Sequence, residues 1–297
     1  MNNKVKGYLS GIVAAIAYGT NPLGALFLYR EGYNATSVIF FRFVFAVLIL
    51  GIILIAQKES FRLSKFEFKV LGSLGVIFAA SALTLYSSFN FMDSGIASTI
   101  LFTYPIFVAI IMSVCFKERM SFISVFAIVV SFFGISLLYK GEGGVSLSTI
   151  GIILVLISSL TYSIYIVLVN RAKIEMNPFK MTFYIMAIAG LCIFVYSLFG
   201  KENHIIAINS FYSLWWFVFL GVVPTIIAMT FLNIAIPKIG SVPTAIMGAL
   251  EPATAVIISV VVFDGIMSAR LLTGIFLILI AVTLITLKDL PIFHKKT

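Results

Sequence analysis

One acidic residue lies in the middle of a long apolar stretch near the C-terminal end of the chain. The stretch runs from Ser241 to Phe263, and Glu251 is its single ionisable residue, followed directly by Pro252. In a helix that rises about 1.5 Å per residue, Glu251 lies roughly 15 Å from Ser241, which is half of a ~30 Å hydrocarbon core. A charge at that depth costs about 2.5–3.5 kcal/mol even on the mildest insertion scale. Pro252 removes a backbone donor, so we expect the helix to kink beside the acid.

The chemistry open to Glu251 is the binding of a proton or of a cationic group. Burial disfavours the charged form of a carboxyl group, so protonation near neutral pH is one hypothesis, and contact with a positively charged substrate is another. In either role Glu251 would bias the protein toward an inward-open or outward-open state. The alternative is structural: the carboxyl accepts hydrogen bonds from groups that Pro252 frees and never changes its protonation.

Arg42 is the second candidate, seven residues into a predicted span at 35–56. That position is about 10 Å from the outer edge of the span. The planar guanidinium suits the capture of a substrate carboxylate or phosphate, or a pair with Glu251. Alternatively the side chain snorkels outward with its stem packed among neighbouring phenylalanines.

Tyrosine and asparagine side chains inside apolar segments form a third group of candidates. As binding residues they would line a central cavity, where rings stack on a substrate and hydroxyl or amide groups hydrogen-bond to it. As structural residues they would join helices, at ~0.6 kcal/mol per hydrogen bond on average. Tyr18, Tyr104 and Tyr162 lie nearest to mid-depth and are the preferred cavity residues. The full group is Tyr18, Asn21, Tyr86, Asn90, Tyr104, Tyr162 and Tyr165.

The composition indicates that membrane-spanning helices carry these residues. The 297-residue chain is 61% hydrophobic and 10% charged, with a mean hydropathy of +1.15, which excludes a soluble domain. We predict an all-α integral membrane bundle of ten transmembrane helices. Its spans are 7–28, 35–56, 69–91, 95–116, 121–139, 148–170, 179–199, 211–236, 241–263 and 268–288. The two cysteines fall within apolar runs and are interpreted as packing residues, and no metal or cofactor is expected.

The positions of lysine and arginine predict the orientation. With the N-terminus in the cytoplasm, 15 of the 20 basic residues lie in inner segments, 4 lie in outer loops, and Arg42 lies within a span. This bias predicts that both termini are cytoplasmic, and a cell membrane is the expected location. The net charge of +9 is then explained by contact with anionic membrane lipids, so nucleic acid is not an expected partner.

The first half of the sequence also resembles the second half. Gly7, Tyr18 and Glu31 correspond to Gly151, Tyr162 and Glu175, and Tyr104-Pro105 corresponds to Glu251-Pro252. These matches predict two five-helix repeats, 1–143 and 144–297. Because five is odd, the second repeat enters the membrane from the opposite side. Such inverted repeats are typical of secondary transporters, whose substrate site lies near the midplane between the repeats.

The ordered set of these motifs resembles the EamA-type family of the drug/metabolite transporter superfamily over nearly the whole chain. The resemblance rests on Tyr18-Gly19-Thr20-Asn21, Arg42-Phe43, Pro105 to Lys117-Glu118-Arg119, and Leu250-Glu251-Pro252. Two departures occur at membrane borders: Lys117 stands where the family usually has glycine, and the acid of Phe263-Asp264-Gly265 comes one place early. The resemblance implies a metabolite transporter, often an exporter, and leaves the substrate open.

The favoured function is therefore secondary active transport of a small molecule by alternating access, with export as the expected direction and a proton as the candidate coupling ion. An aromatic cavity with one acid and one guanidinium would suit an amino acid, and an amphipathic cation is the other candidate substrate. A passive facilitator or channel is the alternative. A membrane-embedded enzyme is disfavoured, because no span contains histidine and no hydrolase or zinc-binding motif occurs.

Overall fold

The computed structural model is a bundle of helices and describes residues 3–88, 91–92, 97, 100–138, 148–199, 203–262 and 268–288. Within these ranges there are no strands. Eight helices are long and apolar enough to cross a membrane, and two shorter apolar helices accompany them. The prediction of an all-helical ten-span membrane bundle is confirmed.

The helices of the first half are α1 (Asn3–Gly19), α2 (Asn21–Arg30), α3 (Ala35–Ala56), α4 (Lys65–Ser88), α5 (Tyr104–Phe116) and α6 (Phe122–Leu138). Those of the second half are α7 (Thr149–Ala172), α8 (Pro178–Ser197), α9 (Phe211–Gly221), α10 (Ala228–Ile239), α11 (Ser241–Met247), α12 (Leu250–Val262) and α13 (Ala269–Lys288). A π-helical segment, Val222–Ile227, joins α9 to α10. The pairs α1 and α2, α9 and α10, and α11 and α12 each form one span with an interruption.

Side-chain caps fix where several helices begin. Asn34 accepts a hydrogen bond from the Ser37 backbone before α3, and Ser148 and Ser210 do the same before α7 and α9. Such caps satisfy backbone donors that have no partner within the helix. The outer faces are apolar, as Leu48, Ile52 and Ile55 on α3 illustrate with 56%, 67% and 67% exposure. An apolar exposed face at helical spacing is expected where the solvent is lipid.

The packing of the helices repeats between the halves. Helix α1 packs on α10, and its counterpart α7 packs on α4; likewise α12 packs on α1, and α5 packs on α7. Helix α3 packs on its own counterpart α8, and α6 packs on α13. These helix pairings thus correspond between the two halves of the chain.

The correspondence extends to single residues. A Cβ added to Gly7 would lie 2.6 Å from the Ile239 side chain, and a Cβ added to Gly151 would lie 2.7 Å from the Met92 side chain. Met92 precedes Tyr104 by twelve residues, and Ile239 precedes Glu251 by twelve. The two glycines thus permit the same close helix approach in each half. The expected repeat boundary at 143/144 lies outside the described residues.

Candidate functional site

A central cavity lies where the two repeats meet, between α1, α5, α7, α10, α11 and α12. Its volume is about 20 Å³, so the cavity is nearly closed in this conformation and must widen to admit a substrate. Four of the sequence-predicted site residues line it: Tyr18, Tyr104, Tyr162 and Glu251. The remaining lining residues are Gly11, Ala14, Ala15, Ile166, Ala228, Leu232, Thr244 and Gly248. Residues from both halves of the chain line it.

The break between α11 and α12 positions Glu251 on the cavity. The backbone N–H of Ala249 bonds to Ile246 O at 3.0 Å and that of Glu251 bonds to Gly248 O at 2.9 Å. These are tighter, three-residue turns, and Pro252 has no N–H to continue the regular pattern. Glu251 consequently sits in the first turn of α12, where the helix dipole favours a carboxylate.

The Glu251 carboxyl is an ionisable group without a hydrogen bond in the described part of the chain. Its side chain is partly exposed, and it lines the cavity. Arg42 interacts with it electrostatically, but no salt bridge shorter than 4.0 Å joins them. The carboxyl is thus available to a ligand or a proton that enters the cavity.

Tyr104, on α5, supplies a hydrogen bond that the break between α11 and α12 leaves unmade. Because Ala249 N bonds to Ile246 O, the carbonyl of Ala245 loses its usual partner, and the Tyr104 hydroxyl donates to that oxygen at 3.0 Å. The ring comes so close to the break that a Cβ on Gly248 would lie 1.7 Å from the Tyr104 Oη. Gly248 is therefore required for Tyr104 to reach this carbonyl.

At each proline kink, the carbonyl of the residue before the proline lies close to a helix of the other half of the chain. Ser163 Oγ donates to Tyr104 O at 3.0 Å, and a Cβ on Gly19 would lie 2.6 Å from Glu251 O. Gly19 and Ser163 each follow a matched tyrosine, Tyr18 and Tyr162, in the sequence. Each repeat thus places a tyrosine beside the kink of the other, and the Tyr104 and Tyr162 rings meet edge-to-face with centroids 5.0 Å apart.

Arg42 lies beside the cavity and does not line it. It is 3% exposed, so its guanidinium points into the protein. Nε donates to Thr225 Oγ1 at 3.1 Å, Nη1 to Asn21 Oδ1 at 3.2 Å, and Nη2 to Pro224 O at 3.4 Å. The guanidinium carbon is 5.8 Å from the centre of the Tyr18 ring. Arg42 and Asn21, both predicted as site residues, are thus joined to each other.

The π-helical segment was not predicted from the sequence. Thr225 Oγ1 donates to Leu220 O at 2.7 Å and at the same time accepts from Arg42. Pro224 is the local signal, since a proline within a span disrupts the regular hydrogen-bond pattern. Segments of this kind are frequent at functional sites, and this one fixes the orientation of α10, which brings Ala228 and Leu232 to the cavity.

The other polar residues of the sequence analysis lie elsewhere. Tyr86 on α4 is 8% exposed and does not line the cavity. Tyr165 is fully buried and donates to Asn233 Oδ1 at 2.8 Å, which ties α7 to α10. Asn90 lies outside the described residues.

Known proteins resemble this chain throughout its length. The family described as the EamA-like transporter family matches residues 5–140 and, a second time, residues 149–287. The chain is 29% identical over 236 residues to the uncharacterized transporter YdfC of Bacillus subtilis, covering 77% of this chain and 74% of that protein. It is 24% identical over 272 residues to an uncharacterized transporter of Archaeoglobus fulgidus, covering 91% and 93%. A solved crystal structure covers 98% of this chain and 100% of its own at a TM-score of 0.80 and 17% identity, which supports the fold alone.

Proposed function

Because this chain belongs to the EamA-like transporter family, we propose that it is a secondary transporter that carries a small molecule by alternating access. The observation that carries this proposal is the cavity between the two repeats, lined by Glu251 at the break of α11 and α12. Interrupted helices at a midplane site are the usual means by which such proteins bind a substrate within the membrane.

The two repeats offer a physical basis for alternation. Helices α5 and α12 carry the equivalent kinks, and α7 and α1 carry the tyrosines beside them. Rotation of one pair against the other would open the cavity to one side and close it to the opposite side. We place both termini in the cytoplasm and the protein in the cell membrane, with export as the direction and Glu251 as the carrier of a coupled proton.

A salt bridge joins the C-terminal ends of α5 and α7, on the side that the lysine and arginine distribution predicts to be cytoplasmic. Arg171 pairs with Glu118, and its guanidinium carbon lies 4.2 Å from the centre of the Phe116 ring. These contacts hold together the two helices that carry Tyr104 and Tyr162. We therefore assign the Arg171–Glu118 pair as a latch that favours closure on the cytoplasmic side.

The test measures access to the cavity from each side of the membrane. In a variant with Cys115→Ala and Cys192→Ala, Ala15→Cys places one thiol on the cavity wall, and a membrane-impermeant maleimide is applied to right-side-out or inside-out vesicles. Breaking the latch with Glu118→Gln is expected to raise the labelling rate from the cytoplasmic side and lower it from the outside. A passive channel would instead show a rise from both sides, and that result would overturn alternating access.

A further inference from the structure

We propose, building on the transport function above, that the cavity selects an organic cation, an ammonium group on an apolar or aromatic body, over a zwitterion or anion of the same shape. The acid, the hydrogen-bond donors and the rings that the cavity presents favour this substrate class.

Among the described residues that line the cavity there is one acid, Glu251, and no base. The Glu251 carboxyl has no hydrogen-bond partner in that part of the chain, so it can meet a cation in its ionised form. An ammonium donates charge-assisted hydrogen bonds to a carboxylate, and such bonds are roughly twice as strong as neutral ones. The site is thus built to be completed by a cationic donor.

Three aromatic rings surround the same space. Tyr104 and Tyr162 meet edge-to-face at an interplanar angle of 78°, and Tyr18 lines the cavity from α1. The Tyr104 hydroxyl is bonded to Ala245 O, so Tyr104 offers its ring to the cavity and not its hydroxyl. The negative face of an aromatic ring attracts a cation within about 6 Å of its centre. A carboxylate together with several rings favours ammonium groups over other polar groups.

A substrate carboxylate would find no charged donor among the described residues that line this cavity, only neutral hydroxyls such as those of Tyr18 and Tyr162. The three guanidinium nitrogens of Arg42 each donate to a neutral oxygen, on Thr225, Asn21 and Pro224, and Arg42 does not line the cavity. Thr244, which does line it, donates its hydroxyl to Gly240 O at 2.7 Å. An anion that enters an apolar space without strong donors loses its hydration and gains little in return. The amino-acid hypothesis required Arg42 to supply that donor.

The rest of the wall is apolar and suits an apolar body once the cavity widens. Gly11, Ala14 and Ala15 form a surface of small side chains on α1, and Ile166 and Leu232 lie on α7 and α10. These residues offer dispersion contacts and no charge. A compact hydrocarbon or phenyl group attached to the ammonium matches this lining.

The experiment compares three ligands that share a phenyl body and differ in charge: phenethylammonium, phenylalanine and 3-phenylpropanoate. Binding to the purified full-length protein in detergent is measured by thermal shift and by calorimetry. Phenethylammonium is expected to bind, with the other two weaker by about tenfold or more, since a hydrogen bond to a charged group contributes about 1.5–3 kcal/mol. Glu251→Gln is expected to weaken phenethylammonium by a similar factor, whereas Glu175→Gln, the same change at an exposed loop position, leaves it unaltered.

Three outcomes would overturn the proposal: stronger binding of phenylalanine or 3-phenylpropanoate, full retention of phenethylammonium binding in Glu251→Gln, or no binding of phenethylammonium by the wild-type protein. These outcomes leave the transport function itself intact if the Ala15→Cys labelling still shows reciprocal access. Loss of reciprocal labelling with cation binding retained would instead contradict transport by alternating access and keep the assignment of a cation site.

Discussion

Tyr104 and Glu251 occupy the same place in the two repeats, each directly before the proline of a kinked span. In the first repeat this position holds a phenol that satisfies the Ala245 carbonyl of the second repeat. In the second repeat it holds an acid that has no hydrogen-bond partner within the described residues. Tyr104 thus supports the broken helix, and Glu251 presents an acid to the cavity.

Gly248 is expected to tolerate no larger residue. A Cβ there would lie 1.7 Å from the Tyr104 Oη and 3.1 Å from Ala245 O, so Gly248→Ala must displace the tyrosine and break its hydrogen bond. We expect a loss of about 1–3 kcal/mol, as for other overpacked sites, together with weaker ligand binding. Thermal unfolding in detergent measures the first effect.

The matched control is Gly72→Ala on α4, where a Cβ would meet nothing within 4 Å. Alanine is the better helix former by about 0.5–1 kcal/mol, so this variant should be unchanged or more stable. Equal melting temperatures for Gly248→Ala and the wild-type protein would show that the contact with Tyr104 is unimportant.

Arg42 and Thr225 are expected to act as one unit. Arg42→Gln and Thr225→Val each remove the hydrogen bond between α3 and the π-helical segment, so their effects on stability should not add. Contacting residues of this kind show coupling of about 0.5–3 kcal/mol in a double-mutant cycle. Thr161→Val serves as the control, because the Thr161 hydroxyl bonds to carbonyls of its own helix. Additive losses for Arg42→Gln and Thr225→Val would contradict the coupling.

Glu251 is also expected to make cation binding dependent on pH. A proton and an ammonium compete for the same carboxylate, so affinity should fall as the pH is lowered, by about tenfold per unit at most for one proton. The other ionisable groups around Glu251 are Tyr18, Arg42, Tyr104 and Tyr162. A phenol ordinarily titrates near pH 10, and Arg carries a fixed charge, so neither type competes in the acidic range.

Calorimetry with phenethylammonium over a series of pH values measures this dependence. The residual affinity of Glu251→Gln should be the same at every pH. A slope that persists in Glu251→Gln would assign the titrating group to another residue.

At the scale of the helices, the interruptions differ in how well the sequence predicts them. The kink at Glu251-Pro252 can be predicted from the proline alone, because proline lacks the N–H that would make a hydrogen bond within its own helix. The π-helical segment around Pro224 depends on Arg42 from α3, which donates to Pro224 O and Thr225 Oγ1. A contact between residues 183 positions apart cannot be derived from local pattern, so this element was missed.

The start of α4 was predicted four residues late, at residue 69. Hydropathy disfavours Lys65 and Glu67, yet the helix begins at Lys65 because Ser64 and Glu67 form a capping box. Ser64 N donates to Glu67 Oε2 at 2.7 Å, and Glu67 N donates to Ser64 Oγ at 3.2 Å. The Ser-x-x-Glu spacing is readable from sequence and marks a helix start outside the apolar core.

The latch between α5 and α7 gives the prediction that belongs to this scale. Glu118 is 51% exposed and Arg171 31%, so the pair contributes ~0–1 kcal/mol. Even 1 kcal/mol changes the ratio of two conformations about fivefold, which suffices to alter which side the cavity faces. Glu118→Arg should therefore raise cytoplasmic labelling of the Ala15→Cys thiol, and adding Arg171→Glu should restore the wild-type rate. If the double variant behaved like Glu118→Arg alone, the salt bridge would not be the latch.

For the whole molecule, the sequence predicted the ten-span bundle and four of the residues that line its cavity. These features depend on hydrophobic runs and on matches between halves, which are local or periodic signals. The placement of Arg42 and Tyr86 was not decidable in the same way. Whether a polar side chain faces the cavity or a neighbouring helix depends on the rotation of each helix about its axis. Helices that are apolar on every side have no polar face from which that rotation can be predicted.

The proposed inversion of the two repeats leads to the last prediction. Glu31 follows α2 and Glu175 follows α7, both are exposed, and they match in the alignment of the halves. In an inverted repeat, equivalent positions lie on opposite sides of the membrane. With Cys115 and Cys192 replaced by alanine, Glu31→Cys should react with an impermeant maleimide in intact cells, and Glu175→Cys only after permeabilisation. Reaction of both thiols from the same side would contradict the inversion, whereas the same split with the sides exchanged would retain it and reverse the orientation inferred from lysine and arginine.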